Sequence, residues 1–315
     1  MGGVLAIDQG TSGTKAVVVS ENGEVLAAAE YAIRPRYRSG GAVEQDPEEL
    51  FASVLRAGTD AVAAAGVEIE AVALANQGES VLAWDPETGR PLTPLIVWQD
   101  RRADAWCRAR ADQSDHLLAL TGLELDPYFS APKMRWIRDN LTTMGIVTTS
   151  DTWIIHRLCG ALVTDSSTAS RSLLLNLDTM EWSAELSDFF ELDHASLPRI
   201  VASDEIVGET TAFGRSAPVV GLIVDQQAAL LAQACVDPGM AKCTFGTGAF
   251  ILAQQGTAAV RSRRGLTSSV AWTLRDSTHY CLDGQVYTAA SAVRWAVDAG
   301  FLASAADIDD ELSPR

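Results

Sequence analysis

The segment Ala6-Ile7-Asp8-Gln9-Gly10-Thr11-Ser12-Gly13-Thr14-Lys15 decides how the rest of the chain is read. One apolar run, Val4 to Ile7, leads into it and another, Ala16 to Ser20, leads out. Two short buried strands joined by turn formers predict a β-hairpin. Gly10 and Gly13 allow a tight turn and close approach of a ligand, while Thr11, Ser12 and Thr14 offer hydroxyls. Successive backbone N–H groups in such a turn form a concave anion site. Asp8, at the end of the first strand, suits a hydrated Mg²⁺ beside that anion. For the turn alone, an ordinary glycine-rich hairpin is an equally good reading. It is neither a Walker loop nor a dinucleotide fingerprint, because no GxxxxGK[ST] occurs and no GxGxxG follows a strand.

Working outward, Glu24 to Ile33 adds a third strand after the Glu21-Asn22-Gly23 turn. Asp46-Pro47-Glu48-Glu49 predicts a helix start, with Asp46 as N-cap and Pro47 at the first helical position. That helix runs through Ala65 and stops at Gly66. Strands are expected at Ala71 to Ala75 and Val81 to Trp84, and helices at 101–111, 133–141 and 150–158. Val219 to Val224 reads as a strand ending in Asp225, followed by a helical stretch from Gln226 to Ala234. Asp237-Pro238-Gly239 breaks the chain, and a strand pair, 241–245 and 249–254, follows. Strands alternating with helices predict an α/β architecture. A prior of roughly 150 residues per domain gives about two domains, divided as 1–235 and 236–315.

The 24 basic and 41 acidic residues leave a net charge of −17, which disfavours nucleic-acid and anionic-membrane partners. The 5 cysteines show no CxxC spacing, and the 4 histidines no ligand spacing, so neither a zinc site nor a disulfide framework is expected. The longest uncharged apolar run, Ala217 to Val224, is far short of a membrane span. The N-terminus carries no basic region ahead of its apolar stretch, so no signal peptide is read there. These features predict a cytoplasmic protein. Asp307-Ile308-Asp309-Asp310-Glu311 reads as a solvated tail.

A second turn, Phe245-Gly246-Thr247-Gly248, follows the proposed boundary. One phosphate turn in each of two lobes would grip a nucleotide triphosphate between them. Asp225 stands at the carboxyl end of an apolar strand, where open α/β sheets place ligands. There it suits a general base or, equally, a helix cap. Glu79, Trp98, Tyr128 and Phe250, taken singly, read as core or interface residues.

Together these segments resemble the FGGY carbohydrate kinases, and most closely their glycerol kinase branch. The pieces that carry the resemblance run in order along the chain: Ala6 to Ser12, Asn76-Gln77-Gly78-Glu79, Ile96 to Arg102, Asp126 to Ser130, Lys133-Met134-Arg135-Trp136, Asp151-Thr152-Trp153, Asp225 to Ala229, and Phe245 to Gly248. Tyr128 to Asn140 also fits the family's N-terminal signature. The resemblance implies an actin-like, ribonuclease-H-like two-lobed fold, with the second lobe only begun within these residues. It implies ATP-dependent transfer of the γ-phosphoryl group to a terminal hydroxyl of a small polyol, nominally glycerol to glycerol 3-phosphate. Asp225 then matches the general base and Asp8 the residue that works with Mg²⁺. Gly78, Glu79, Tyr128, Asp225 and Gln226 match polyol-binding positions, with Trp98 and Phe250 walling the carbon chain. Thr11, Ser12, Gly13 and Lys15 match the first nucleotide loop, and Thr247 the second. Family members often form dimers or tetramers, so a homo-oligomer is the analogous expectation.

The chain also departs from the branch. Glycerol kinases typically read Asn-Gln-Arg-Glu where this sequence has Gly78, which removes a hydroxyl-binding arginine and opens space. The expectation is a longer polyol, a four-carbon one such as erythritol, threitol or erythrulose. Lys15 stands in place of an Arg, keeping the charge but losing the planar fork. Ala290 and Arg294 replace the Gly and Gln usual near the nucleotide. With so little of the second lobe, apolar sheet surface is expected to be exposed. A polyol-binding homologue without activity therefore remains the alternative of another class.

Overall fold

A computed structural model describes residues 2–246 and 248–308 of the 315. The hairpin forms as read: β1 (Gly2–Gln9) pairs antiparallel with β2 (Gly13–Ser20), which pairs with β3 (Val25–Ala32). On the other side of β1 lies β4 (Glu68–Asn76), parallel to it, and then β5 (Ala217–Val224), parallel to β4. A short antiparallel strand, Gly208–Thr210, completes a six-stranded sheet. An antiparallel three-strand meander continued by parallel strands is the ribonuclease-H-like order.

Helix α1 (Pro47–Ala65) crosses from β3 back to β4 and covers one face of this sheet. Its boundaries follow from local chemistry. The Asp46 side chain accepts from the N–H groups of Glu48 and Glu49, and Gly66 closes the helix in the left-handed region at φ 64°. Leu50, Phe51, Val54, Ala57 and Ala61 bury themselves against Leu5, Ile7, Ala16 and Val18. Each large apolar side chain so buried is worth about 1.5–3 kcal/mol. Gly58 is a close-approach position, since a Cβ there would lie 2.3 Å from Cε1 of Phe213.

The opposite face of the sheet is less covered. Val4 and Leu26 are exposed, and so is Asp8. The apolar sheet surface expected to be exposed lies instead on the strands after residue 240, where Phe245, Ile251 and Val286 are exposed.

A five-stranded sheet, which includes Val81–Trp84 and Ile146–Thr149, packs with α2 (Ser130–Asn140) around Val81, Ile96, Phe129, Met134 and Ile137. After β5 the chain enters α3 (Asp225–Ala232) and then a four-stranded antiparallel sheet. Its strands are β6 (Ala241–Phe245), β7 (Ala249–Gly256), β8 (Thr267–Leu274) and β9 (Ser277–Val286). This second sheet is seated on the first part of the chain through Leu230, Trp272 and Cys281, and through Ala169, Leu177 and Val270. Helix α4 (Ala290–Asp298) follows it.

Differences from the sequence reading are local. The helix expected at 101–111 is only Asp104–Arg108, followed by a 3-10 turn at Ala111–Gln113. The Asp100 carboxylate instead accepts from Val43 N–H at 2.7 Å and from Arg102, pinning residues 100–102 as a turn. Of the acidic tail, Asp307 and Ile308 end a short 3-10 turn, whereas residues 309–311 lie outside the described residues.

Candidate active site

Register explains why the site forms where it does. Asp8 on β1 stands opposite Ala75 on β4, and Asn76 opposite Val224 on β5. The carboxyl ends of three parallel strands therefore meet along one edge. From that edge emerge Asp8, the Gln77–Ser80 loop and Asp225. A cavity of about 210 Å³ opens there, ample for a molecule of several heavy atoms.

Of the residues expected to bind polyol, Gly78, Glu79, Trp98, Tyr128, Asp225, Gln226 and Phe250 all line this cavity. Trp98 meets Tyr128 and Phe250 edge-on, with ring centroids 5.7 and 5.9 Å apart, forming an apolar wall. Glu79 is buried and adopts φ 58°, a left-handed backbone conformation that is costly for a non-glycine residue. The strain is held by the Ser80 N–H bond to Gly78 O at 2.7 Å and by the Gln77 amide. The Gln77 side chain donates to Gln45 Oε1 at 3.0 Å and accepts from Ser80 Oγ at 3.2 Å.

Asp225 does not cap its helix. Val224 is the N-cap residue, and Asp225 is the first helical residue, accepting from Gln226 N–H at 2.6 Å. The cap reading therefore fails, because β5 runs straight into the helix and leaves the carboxylate facing the cavity. Burial, then the negative charges of Asp8 and Glu79, push its carboxyl up to about 7.

Lys133 is fully buried, and its Nζ donates to the carbonyls of Pro127 (2.9 Å), Tyr128 and Phe129 (2.6 Å). It fixes the turn that presents Tyr128. Burial pulls its ammonium down to about 7, against nearby carboxylates.

The first loop behaves differently from the simplest expectation. Thr11 and Ser12 line the same cavity. The Thr11 hydroxyl donates to Gln77 Oε1 at 3.2 Å and accepts from Trp98 Nε1 at 2.8 Å, which ties the turn to the aromatic wall of the cavity. Thr14 is not available to a ligand, because its hydroxyl is buried against Ser53 Oγ at 2.6 Å. Gly13 O accepts from Gly10 N–H at 2.9 Å, closing the turn. Lys15 is exposed and pairs in register with Asp8. Asp8 is open to solvent on one side, yet the protein packed around the rest of its carboxyl keeps enough water away to raise it, with Lys15 opposing. Ala290 and Arg294 are exposed on α4, and neither lines the cavity. The Ala290 N–H does reach Gly246 O at 3.1 Å, so the helix abuts the second turn. Thr247 lies outside the described residues.

Two charged residues of the cavity escaped the sequence reading. Arg171 and Asp283 are both almost fully buried. The Arg171 guanidinium donates to Glu79 and Asp283 and to the Tyr128 hydroxyl at 3.2 Å. Two carboxylates hold it firmly protonated against the cost of burial. A signal existed: Arg171 is the lone charge between Asp165 and Asp178, in a stretch otherwise of Ser, Thr, Ala, Leu and Asn. Gly78 also proves less open than expected. A Cβ there would meet Cγ1 of Val224 at 3.3 Å and Nε of Arg171 at 4.0 Å.

Comparison with known proteins decides the family. Residues 3–232 match the model of the FGGY family of carbohydrate kinases, N-terminal domain. The chain belongs to the FGGY family of carbohydrate kinases. It is 38% identical over 313 residues to the glycerol kinase of Oceanobacillus iheyensis, covering 94% of this chain and 63% of that protein. To the glycerol kinase of Thermus brockianus it is 41% identical over 323 aligned residues, covering 97% of this chain and 65% of the relative. The chain thus spans just under two thirds of these relatives' lengths. The crystal structure of Plasmodium falciparum glycerol kinase with ADP superposes with a TM-score of 0.91 at 28% identity, covering 98% of this chain and 66% of that one. A xylulose kinase from Lactobacillus acidophilus, at 22% identity and a TM-score of 0.87, shares the fold. The actin-like, ribonuclease-H-like family fold expected from the sequence is therefore the fold that this chain shares. No helix among the described residues is long and apolar enough to cross a membrane.

Proposed function

We propose that this chain carries the polyol site of an ATP-dependent kinase that phosphorylates a terminal hydroxyl of a small polyol, with glycerol to glycerol 3-phosphate as the reference reaction. The observation that carries the reading is Asp225. It is a carboxylate at a strand end, raised to about 7 and facing a cavity with one apolar wall and several polar groups. A general base works best when its pKa is near the operating pH. In the proposed step the polyol oxygen attacks the γ-phosphorus, the bond to the β–γ bridging oxygen breaks, and the hydroxyl proton passes to Asp225. ADP leaves. Glu79 and Gln226 orient the polyol hydroxyls, while Trp98 and Phe250 pack against its C–H edge.

Positioning and electrostatics dominate phosphoryl transfer, so one base, one cation and phosphate-binding turns suffice. The Thr11-Ser12-Gly13 turn and Lys15 would hold phosphates, with Thr247 from the second turn and the region of Ala290 and Arg294 nearer the nucleoside. No cluster of three or more metal-ligating side chains exists among the described residues. The donors present suit a magnesium ion that keeps its waters and arrives with the nucleotide. Asp8 is exposed at the strand end, and its charge already acts on Asp225. Magnesium would supply charge neutralisation of the phosphates there. In this reading residues 1–235 form the polyol-binding domain and 236–315 begin the nucleotide-binding one. A cytoplasmic homo-oligomer acting on polyol and ATP is the matching expectation.

A second reading, a kinase for a four-carbon polyol or ketose, rests on Gly78, which lines the cavity and brings no hydroxyl-binding side chain to it, although Val224 and Arg171 limit the space it opens. The test is ADP release from MgATP with glycerol, erythritol, threitol and erythrulose offered separately, and Asp225→Asn as control. Turnover that requires one polyol and Asp225 supports the proposal and selects the substrate. Polyol binding without turnover in this chain would favour the inactive polyol-binding reading.

A further inference from the structure

We infer that Arg171 is the hydroxyl-donating cation of the polyol pocket, and that through Asp283 the second sheet takes part in holding it there. The inference rests on the polyol reading of this cavity and names a specificity residue for it.

A guanidinium carries five N–H donors. In Arg171, Nε donates to Glu79, Nη1 to Asp283 and, at 3.4 Å, to Ser269 Oγ, and Nη2 to the Tyr128 hydroxyl. The remaining N–H on Nη2 has no hydrogen-bond partner among the described residues, although the side chain lines the cavity. A buried donor without a partner is costly, and a bound hydroxyl oxygen would satisfy it.

The guanidinium is also rigidly held. It lies over the Tyr128 ring, 5.7 Å from the centroid. Its two carboxylate partners come from different parts of the fold, Glu79 from the loop after β4 and Asp283 from β9. Asp283 is held in turn by the Thr267 hydroxyl on β8. Gly78 matters because of what it leaves out. A Cβ at 78 would already lie 3.3 Å from Cγ1 of Val224 and 4.0 Å from Nε of Arg171, so any longer side chain there would have to share this space with the guanidinium. One guanidinium thus presents Glu79 as an acceptor, offers a donor beside it, and links both sheets at the pocket floor. An acceptor beside a donor suits vicinal hydroxyls, the chemistry of a polyol or hydroxyketone.

The test titrates the full chain with glycerol and with erythritol, following Trp98-sensitive fluorescence, and separately with ATP, for the wild type, Arg171→Lys and Asp283→Asn. Lysine keeps the charge but cannot reach both carboxylates and the ligand. Expected are a roughly 10- to 100-fold weaker polyol affinity for Arg171→Lys, the range of a lost charge-assisted bond, and a smaller loss for Asp283→Asn. ATP affinity should stay within about twofold. Unchanged polyol binding in Arg171→Lys overturns the inference. A parallel loss of polyol and ATP binding with a lowered Tm also overturns it, because that would mark a purely structural ion cluster. If Arg171→Lys does not fold, Asp283→Asn decides by the same criteria. Failure of the wild type to bind either polyol would instead remove the polyol reading itself.

Discussion

Replacing Asp225 by Asn should abolish turnover and at the same time stabilise the protein, with a pH dependence that identifies the carboxylate responsible. Its carboxyl rises from 3.8 to about 7 in the folded chain, which corresponds to about 4 kcal/mol. The folded state binds this proton more tightly than the unfolded state. The group's favourable contribution is therefore fully present below about pH 4 and is lost as pH rises through about 7. Asp225 keeps part of its surface open to the cavity, so solvent reduces the cost to on the order of 1–3 kcal/mol. The Asn variant avoids that cost and retains an oxygen for the Gln226 N–H. Its stability advantage over the wild type should grow by on the order of 1–2 kcal/mol between pH 5 and pH 8. At about 2 °C per kcal/mol, the Tm difference should widen by about 2–4 °C. The assay is thermal unfolding of both proteins across that range in magnesium-free buffer. Asp8→Asn should reproduce part of the effect, because Asp8 is the largest charge acting on Asp225. A Tm difference flat with pH, or an Asn variant less stable at pH 8, would refute the assignment of a raised pKa to this residue.

Other outcomes follow from the same geometry. Lys133→Met leaves buried carbonyls at Pro127, Tyr128 and Phe129 without their donor; at about 1–3 kcal/mol for each unsatisfied group, the urea midpoint should fall sharply and polyol affinity with it. Asp46→Ala removes the cap on the Glu48 and Glu49 N–H groups and should cost about 1 kcal/mol in urea unfolding, without altering polyol affinity. Gly58→Ala places a methyl 2.3 Å from Phe213 and should cost about 1–3 kcal/mol by the same measurement, through overpacking.

The parts of the fold legible in the sequence were those written in neighbouring residues. The β1–β2 hairpin announced itself through apolar runs around turn formers. Helix α1 did so through Asp46, Pro47 and Gly66, because caps and fixed φ angles act within one turn of chain. The helix expected at 101–111 failed because Asp100 finds its partners on Val43 and Arg102, and a side chain pinned to a distant strand outweighs helix propensity. Strands β8 and β9 went unread. Thr267–Leu274 is buried on both faces over most of its length and so lacks an alternating pattern.

The site divides in the same way. Asp8, Glu79, Trp98, Tyr128, Asp225, Gln226 and Phe250 are legible as site residues only through the family resemblance that the ordered motifs carry; singly, the aromatic ones and Glu79 read as core. The sequence alone also determined the charge balance, the hairpin turn and the family resemblance, since each is a property of residue identity or local spacing. Only the tertiary structure decided which of these residues meet, that Thr14 is spent on Ser53, and that the Thr11 hydroxyl serves Trp98. It also decided that Arg171 and Asp283, 112 residues apart, close the pocket floor. A buried ion cluster is stable only when partners from separate elements converge to replace lost water, and that convergence is set by sheet register, which no local pattern encodes.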